Sequence, residues 1–181
     1  MQNTLEQFDI IAQQCFDLFS KKAFDYGVAW KILRVTSLTD QVFIKANRIR
    51  SIQEKGVAKV NEGIIPEFIG IVNYSIMALI QLETSVTEDE KFGAEEAIKK
   101  FKKYIQNAKN LMMDKNHDYG EAWRKMRISS LTDIILMKLL RIKQIEDNEG
   151  KTLVSEGLEA NYYDIINYAM FALIRLVVEK E

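Results

Sequence analysis

Cysteine is nearly absent: Cys15 stands alone in 181 residues. A single thiol excludes an internal disulfide framework and a thiolate-based zinc or iron–sulfur centre. Pro66 is the only proline, and glycine occurs eight times. So few breakers, with no sustained strand alternation, point away from an all-β chain. A surplus of one charge is also missing. Lys plus Arg is 25 and Asp plus Glu is 26, a formal net charge of −1. That balance argues against a protein that coats DNA or a membrane surface, so neither direct nucleic-acid binding nor a membrane is an expected partner. No apolar run approaches the roughly 18–20 residues of a membrane span, and Met1–Glu6 has no signal-peptide character. A cytoplasmic location is the expectation. The chain has no Walker loop, GxGxxG, HExxH or Gly-x-Ser-x-Gly.

What is present is a duplication. Lys22-Ala23-Phe24-Asp25-Tyr26-Gly27-Val28-Ala29-Trp30 returns as Lys115-Asn116-His117-Asp118-Tyr119-Gly120-Glu121-Ala122-Trp123, 93 residues on. From 22 to 49, 14 of 28 positions are identical between the halves. After one extra residue the offset becomes 94, and Ile71-Val72-Asn73-Tyr74 matches Ile165-Ile166-Asn167-Tyr168. The first repeat is residues 1–84, an acidic linker covers 85–93, and the second repeat is 94–181. Each is too lean to cover its own apolar last segment, so the two should share one core.

Within each repeat the apolar residues recur at helical spacing: Leu5, Phe8, Ile11, Cys15, Leu18 and Phe19, then Ala97, Phe101, Tyr104, Ala108 and Met112. Gly27 and Gly120 suit helix ends with positive φ. Ser37-Leu38-Thr39-Asp40 and Ser130-Leu131-Thr132-Asp133 have capping-box spacing and predict second helices starting near Ser37 and Ser130. Pro66 fits the first turn of a third helix, which is apolar on most sides and should be central. The expected fold is an all-α bundle of two tandem repeats, about three main helices each, related by a pseudo-two-fold axis.

The polar residues kept in both halves are the candidate site. Asp25, Tyr26 and Trp30, with Asp118, Tyr119 and Trp123, combine a carboxylate and aromatic rings suited to stacking on a base or sugar. The alternative is a helix end with core-plugging rings. Arg34, Lys45 and Arg48, with Arg127, Lys138 and Arg141, suit a phosphate, or else surface ion pairs. Asp40 and Asp133 serve as helix-start acids or, with Asp164, as ligands for Mg2+. Asn73 and Asn167 lie in apolar helices and need partners, either between the repeats or on a ligand. His117 takes the place of Phe24 and reads as packing or exposed filler.

The motif Lys-x-x-Asp-Tyr-Gly-x-Ala-Trp, followed by Ser-Leu-Thr-Asp, Lys-x-x-Arg and a late Asn-Tyr, resembles the nucleotide modification associated domain 1 family once per repeat. The resemblance implies a nucleotide-related role. All-α pyrophosphohydrolases of the MazG and dimeric dUTPase kind are an analogy of class. Their Glu-x-x-Glu has a counterpart in Glu156-x-x-Glu159, but Asp164-x-x-Asn167 is the nearest substitute for the Glu-x-x-Asp that should follow. The expectation is a protein that binds a nucleotide or another phosphorylated small molecule at a site between the repeats. If it is an enzyme, metal-assisted phosphoanhydride hydrolysis with Mg2+ is the expected reaction. The alternative is a non-catalytic helical scaffold. Homodimerisation of the chain is compatible with either.

Overall fold

The computed structural model describes residues 2–56, 63–85 and 92–180. Among these the chain forms helices and no strands. They are α1 (Gln2–Tyr26), α2 (Val35–Lys55), α3 (Ile64–Thr84), α4 (Ala94–Tyr119), α5 (Ile128–Asp147) and α6 (Leu158–Leu173). A 3-10 turn precedes α2 (Ala29–Ile32) and another precedes α5 (Ala122–Lys125), and α6 ends in a π-helical turn, Ile174–Val178. This is the expected all-α bundle of two three-helix repeats.

Buried side chains fall on the same rungs in both repeats. Phe8, Ile11, Cys15 and Phe19 of α1 correspond to Phe101, Tyr104, Ala108 and Met112 of α4. Leu38, Val42, Ala46 and Ile49 of α2 correspond to Leu131, Ile135, Leu139 and Ile142 of α5. Spacings of three and four residues bring each set onto one helix face. Helices α3 and α6 are buried on most sides and pack on one another; α2 and α5 complete the central four, and α1 packs along α4. By length and composition α3 is apolar enough to cross a membrane, contrary to the reading of the sequence, yet 67% of that stretch is buried in the bundle. Its apolar surface is already used by the core.

The contacts between α2 and α5 follow the two-fold. Thr39 donates to Glu146 at 2.5 Å, and Gln53 donates to Thr132 at 3.2 Å. Lys143 pairs with Asp40 at 3.2 Å, and Arg50 pairs with Asp133 at 3.7 Å. In each pair the second contact is the first with the repeats exchanged, which is an isologous interface within one chain.

The start of the second helix in each repeat corrects the capping-box expectation. Helices α2 and α5 begin at Val35 and Ile128, and their N-caps are Arg34 and Arg127, with no side-chain cap. The Arg34 carbonyl takes the amides of Ser37 and Leu38 at 3.0 and 3.2 Å, and Arg127 does the same for Ser130 and Leu131. The 3-10 turn delivers an extended residue to the cap position, so backbone satisfies what the serines were expected to satisfy.

Candidate functional site

Each repeat lines a cleft beside its Trp turn with its own residues. Helices α1 and α4 end at Tyr26 and Tyr119, and Gly27 and Gly120 follow at φ 63°. Only glycine holds that left-handed angle without strain. The reversal lets the 3-10 turn place Trp30 or Trp123 against the flank of α3 or α6. Buried and half-buried cations fix those turns. Lys31 donates to Gln81, Thr84 and the Ser85 carbonyl at 2.6, 2.6 and 2.8 Å, and Gln81 donates back to the Lys31 and Leu33 carbonyls at 2.7 Å each. In the second repeat Arg124 bonds Glu121, Thr4, Gln7 and Glu179, while Arg175 donates to the Met126 carbonyl. Burial, then the nearby charge of Lys100, lowers the pKa of Lys31.

The first cleft, about 570 Å3, has Lys22, Tyr26, Trp30, Lys45, Glu67 and Asn73 in its walls. The second, about 510 Å3, has Lys115, Asn116, Tyr119, Trp123, Lys138 and Asp164, with Asn167, Tyr168 and Phe171 behind them. Trp123 stacks flat on Phe171, centroids 4.3 Å apart. These two clefts therefore lie within the repeats, and a smaller pocket of about 280 Å3, walled by Leu79, Leu82 and Glu83 of one repeat and Lys103, Tyr104 and Asn107 of the other, lies between them.

Asp164, 6% exposed, is gripped by Lys115 at 2.5 Å and Lys138 at 2.8 Å. Burial pulls the Lys115 ammonium down, but the bond to Asp164 and its charge more than offset this and leave the pKa above the ordinary lysine value. Burial, then the Asp164 charge, raises the Tyr168 phenol. In the first cleft Lys45 lies 3.6 Å from Glu67, which also holds Arg48.

Asn73 and Asn167 are buried and each is half satisfied. Their amide nitrogens donate to the Cys15 carbonyl at 3.2 Å and the Ala108 carbonyl at 3.1 Å, both within their own repeat. Their side-chain oxygens have no partner, nor do Asn116 Nδ2 and Trp123 Nε1. Among the described residues only one other buried side-chain polar atom, Ser75 Oγ, is orphaned. Four of the five orphans thus belong to residues in cleft walls, three of them in the second cleft.

Other expected site residues lie elsewhere. Asp25 and Asp118 are exposed at the helix ends, Asp118 beside His117, and neither lines a cleft. Arg34 and Arg127 are exposed caps. Arg141 lines a groove of about 760 Å3 between α5 and the loop before α6 that shares Lys138 and Glu156 with the second cleft. Asp40, Asp133 and Asp164 are not brought together, because the first two are held in cross-repeat ion pairs and the third by its lysines. Among the described residues no group of three Asp, Glu, His or Cys could hold a metal ion. An acid already bonded to two lysines is a poor cation ligand, so the residues do not fit the expected Mg2+. Sequence reasoning missed Lys22 and Lys115, although both are identical in the repeats, and also Glu67 and Asn116, which are not.

No curated protein and no solved structure matches the chain. A family model described as nucleotide modification associated domain 1 matches residues 22–82 and 115–176, two segments that each begin at a cleft lysine and take in the Trp turn and the Asn-Tyr pair. The chain belongs to the nucleotide modification associated domain 1 family, in two tandem copies.

Proposed function

We propose that this protein binds nucleotide-related small molecules, with a heterocycle taken into the aromatic clefts within the repeats. The observation that carries this reading is the set of buried, unsatisfied polar atoms on residues that wall the second cleft: an acceptor on Asn167 and donors on Asn116 and Trp123. A buried orphan costs about 1–3 kcal/mol, so three on the walls of one cleft are costly to the fold by themselves. A nucleobase edge entering between these walls carries donor and acceptor groups side by side, and Tyr119 and Tyr168 offer ring surface beside it. The family name points to the same chemical class.

Binding is favoured over metal-assisted hydrolysis because no carboxylate cluster forms and Asp164 is already matched by its lysines. It is favoured over the scaffold reading because Asp25, Arg34, Lys45 and Arg48 do not close on one another and two cavities remain. The test is a thermal-shift and calorimetric screen of nucleosides and nucleotides against the full chain and Asn116→Ala. A nucleoside that raises the melting temperature of the wild type should bind one of its two sites several-fold more weakly in the variant. No response to any of them at millimolar concentration refutes the proposal.

A further inference from the structure

The two clefts differ at one decisive place. Position 70 is the counterpart of position 164, and there the first repeat has glycine where the second has its aspartate. Both lysines that grip Asp164 are kept: Lys22 for Lys115, and Lys45 for Lys138. Lys45 has slumped into the vacated space. A Cβ on Gly70 would meet its Cδ at 2.5 Å and its Cε at 2.6 Å, and its ammonium lies 5.6 Å from the centre of the Tyr74 ring. Those atoms are the far end of a flexible side chain and move cheaply. Glu67, one turn earlier, reaches Lys45 only at 3.6 Å and is shared with Arg48. Lys22 has no ion pair among the described residues, whereas Lys115 is bonded at 2.5 Å. Among the described residues the first cleft therefore has two lysines with no carboxylate between them, and in the second both lysines are bonded to Asp164. Asn73, in the wall beside this gap, keeps its orphaned oxygen.

We propose that the first cleft is a phosphate site. A phosphate group of an external ligand takes, between Lys22 and Lys45, the place that Asp164 takes between Lys115 and Lys138. The second cleft then receives only the uncharged part of such a ligand, since its own carboxylate repels the anion and occupies both cations. The chain thus pairs a cleft for a phosphorylated molecule with a cleft for its unphosphorylated form. The ligand class rests on the functional reading above; the anion site itself does not.

The experiment is calorimetry with inorganic phosphate, adenosine and adenosine monophosphate on the full chain, Gly70→Asp, Lys22→Ala and Asp164→Gly. In the wild type, phosphate and the nucleotide should each occupy one site per chain, at least tenfold tighter than the nucleoside does in that cleft. Gly70→Asp supplies the missing carboxylate and should weaken both at least tenfold. Lys22→Ala, at an exposed position, should do the same with the melting temperature unchanged, so a folding failure of Gly70→Asp does not decide the matter. Asp164→Gly should add a second phosphate site. Phosphate binding that survives Lys22→Ala unchanged, two phosphate sites in the wild type, or none, overturns the proposal. Phosphate bound at Lys22 with no nucleoside or nucleotide preference overturns the nucleotide reading and leaves the anion site standing.

Discussion

Replacing Asn167 with leucine separates a side chain kept for a ligand from one kept for the fold. Its amide nitrogen makes one hydrogen bond, to the Ala108 carbonyl, and its oxygen makes none. The bond contributes about 1 kcal/mol net, and the orphaned acceptor costs about 1–3 kcal/mol. Leucine removes both. The Ala108 carbonyl lies inside α4 and keeps its helical bond. Asn167 is 5% exposed, so the two new methyl groups are buried and gain about 0.8 kcal/mol each, which crowding of about the same size in a packed site cancels. The balance runs from no change to about 2 kcal/mol of added stability. At about 2–4 °C per kcal/mol for a chain of this size, the melting temperature should stay level or rise by up to about 8 °C. Nucleoside binding in the second cleft should be lost. The control is Asn161→Leu, equally buried, whose amide nitrogen is satisfied by the Gly157 carbonyl at 2.8 Å. It should lose about 1 kcal/mol. Urea melts with unchanged m-values measure both. A loss of more than about 1 kcal/mol for Asn167→Leu would refute the reasoning, because the amide would then be a structural partner.

Glu146 has its pKa raised by burial, then by the charges of Asp40 and Asp147 against a bond from Thr39. An acid with a raised folded pKa favours the fold below its unfolded value, and that stability is lost as pH rises through the folded one. Glu146→Gln copies Gln53 of the first repeat, so the difference in stability between variant and wild type should grow in the variant's favour from pH 4 to 8 in urea melts. Glu83 has the opposite sign: bonds from Tyr104 and Lys103 hold its carboxyl at about 2, so its contribution is present above about pH 4.5 and lost as pH falls toward 2. Glu83→Gln should flatten the acid limb of the stability profile. Burial pushes the Cys15 thiol up to about 12, so a disulfide reagent at pH 8 should leave the folded protein unlabelled and modify it fully in denaturant.

The helices were legible because apolar spacing repeats twice, rung for rung, and Gly27 and Gly120 mark ends that only backbone geometry explains. The start of α2 was not, since a capping-box pattern describes side chains and the cap here is a carbonyl delivered by the preceding turn. Repetition identified Trp30, Trp123, Lys45 and Lys138 as cleft residues. It equally flagged Asp40 and Asp133, which recur because the repeats grip each other through them. Identity between copies reports any role the two-fold needs, whether binding or docking, and spacing alone does not tell these apart. Asn116, Asp164 and Glu67 escaped or stood half-noticed for the converse reason: what makes one cleft unlike the other is invisible to a search for sameness.

The exchange of contacts between α2 and α5 has a consequence for stoichiometry. An isologous surface accepts either copy as its mate. Were the halves separate chains, Gln53 would meet Thr39 of its twin as readily as Thr132, and Glu146 would meet Thr132 as readily as Thr39. Three assemblies would form, two of them carrying a single kind of cleft. The covalent join raises the effective concentration of the unlike half far above that of any other. Every molecule therefore carries one glycine-floored cleft and one aspartate-filled cleft, in fixed one-to-one ratio, which no unlinked pair of these repeats would guarantee.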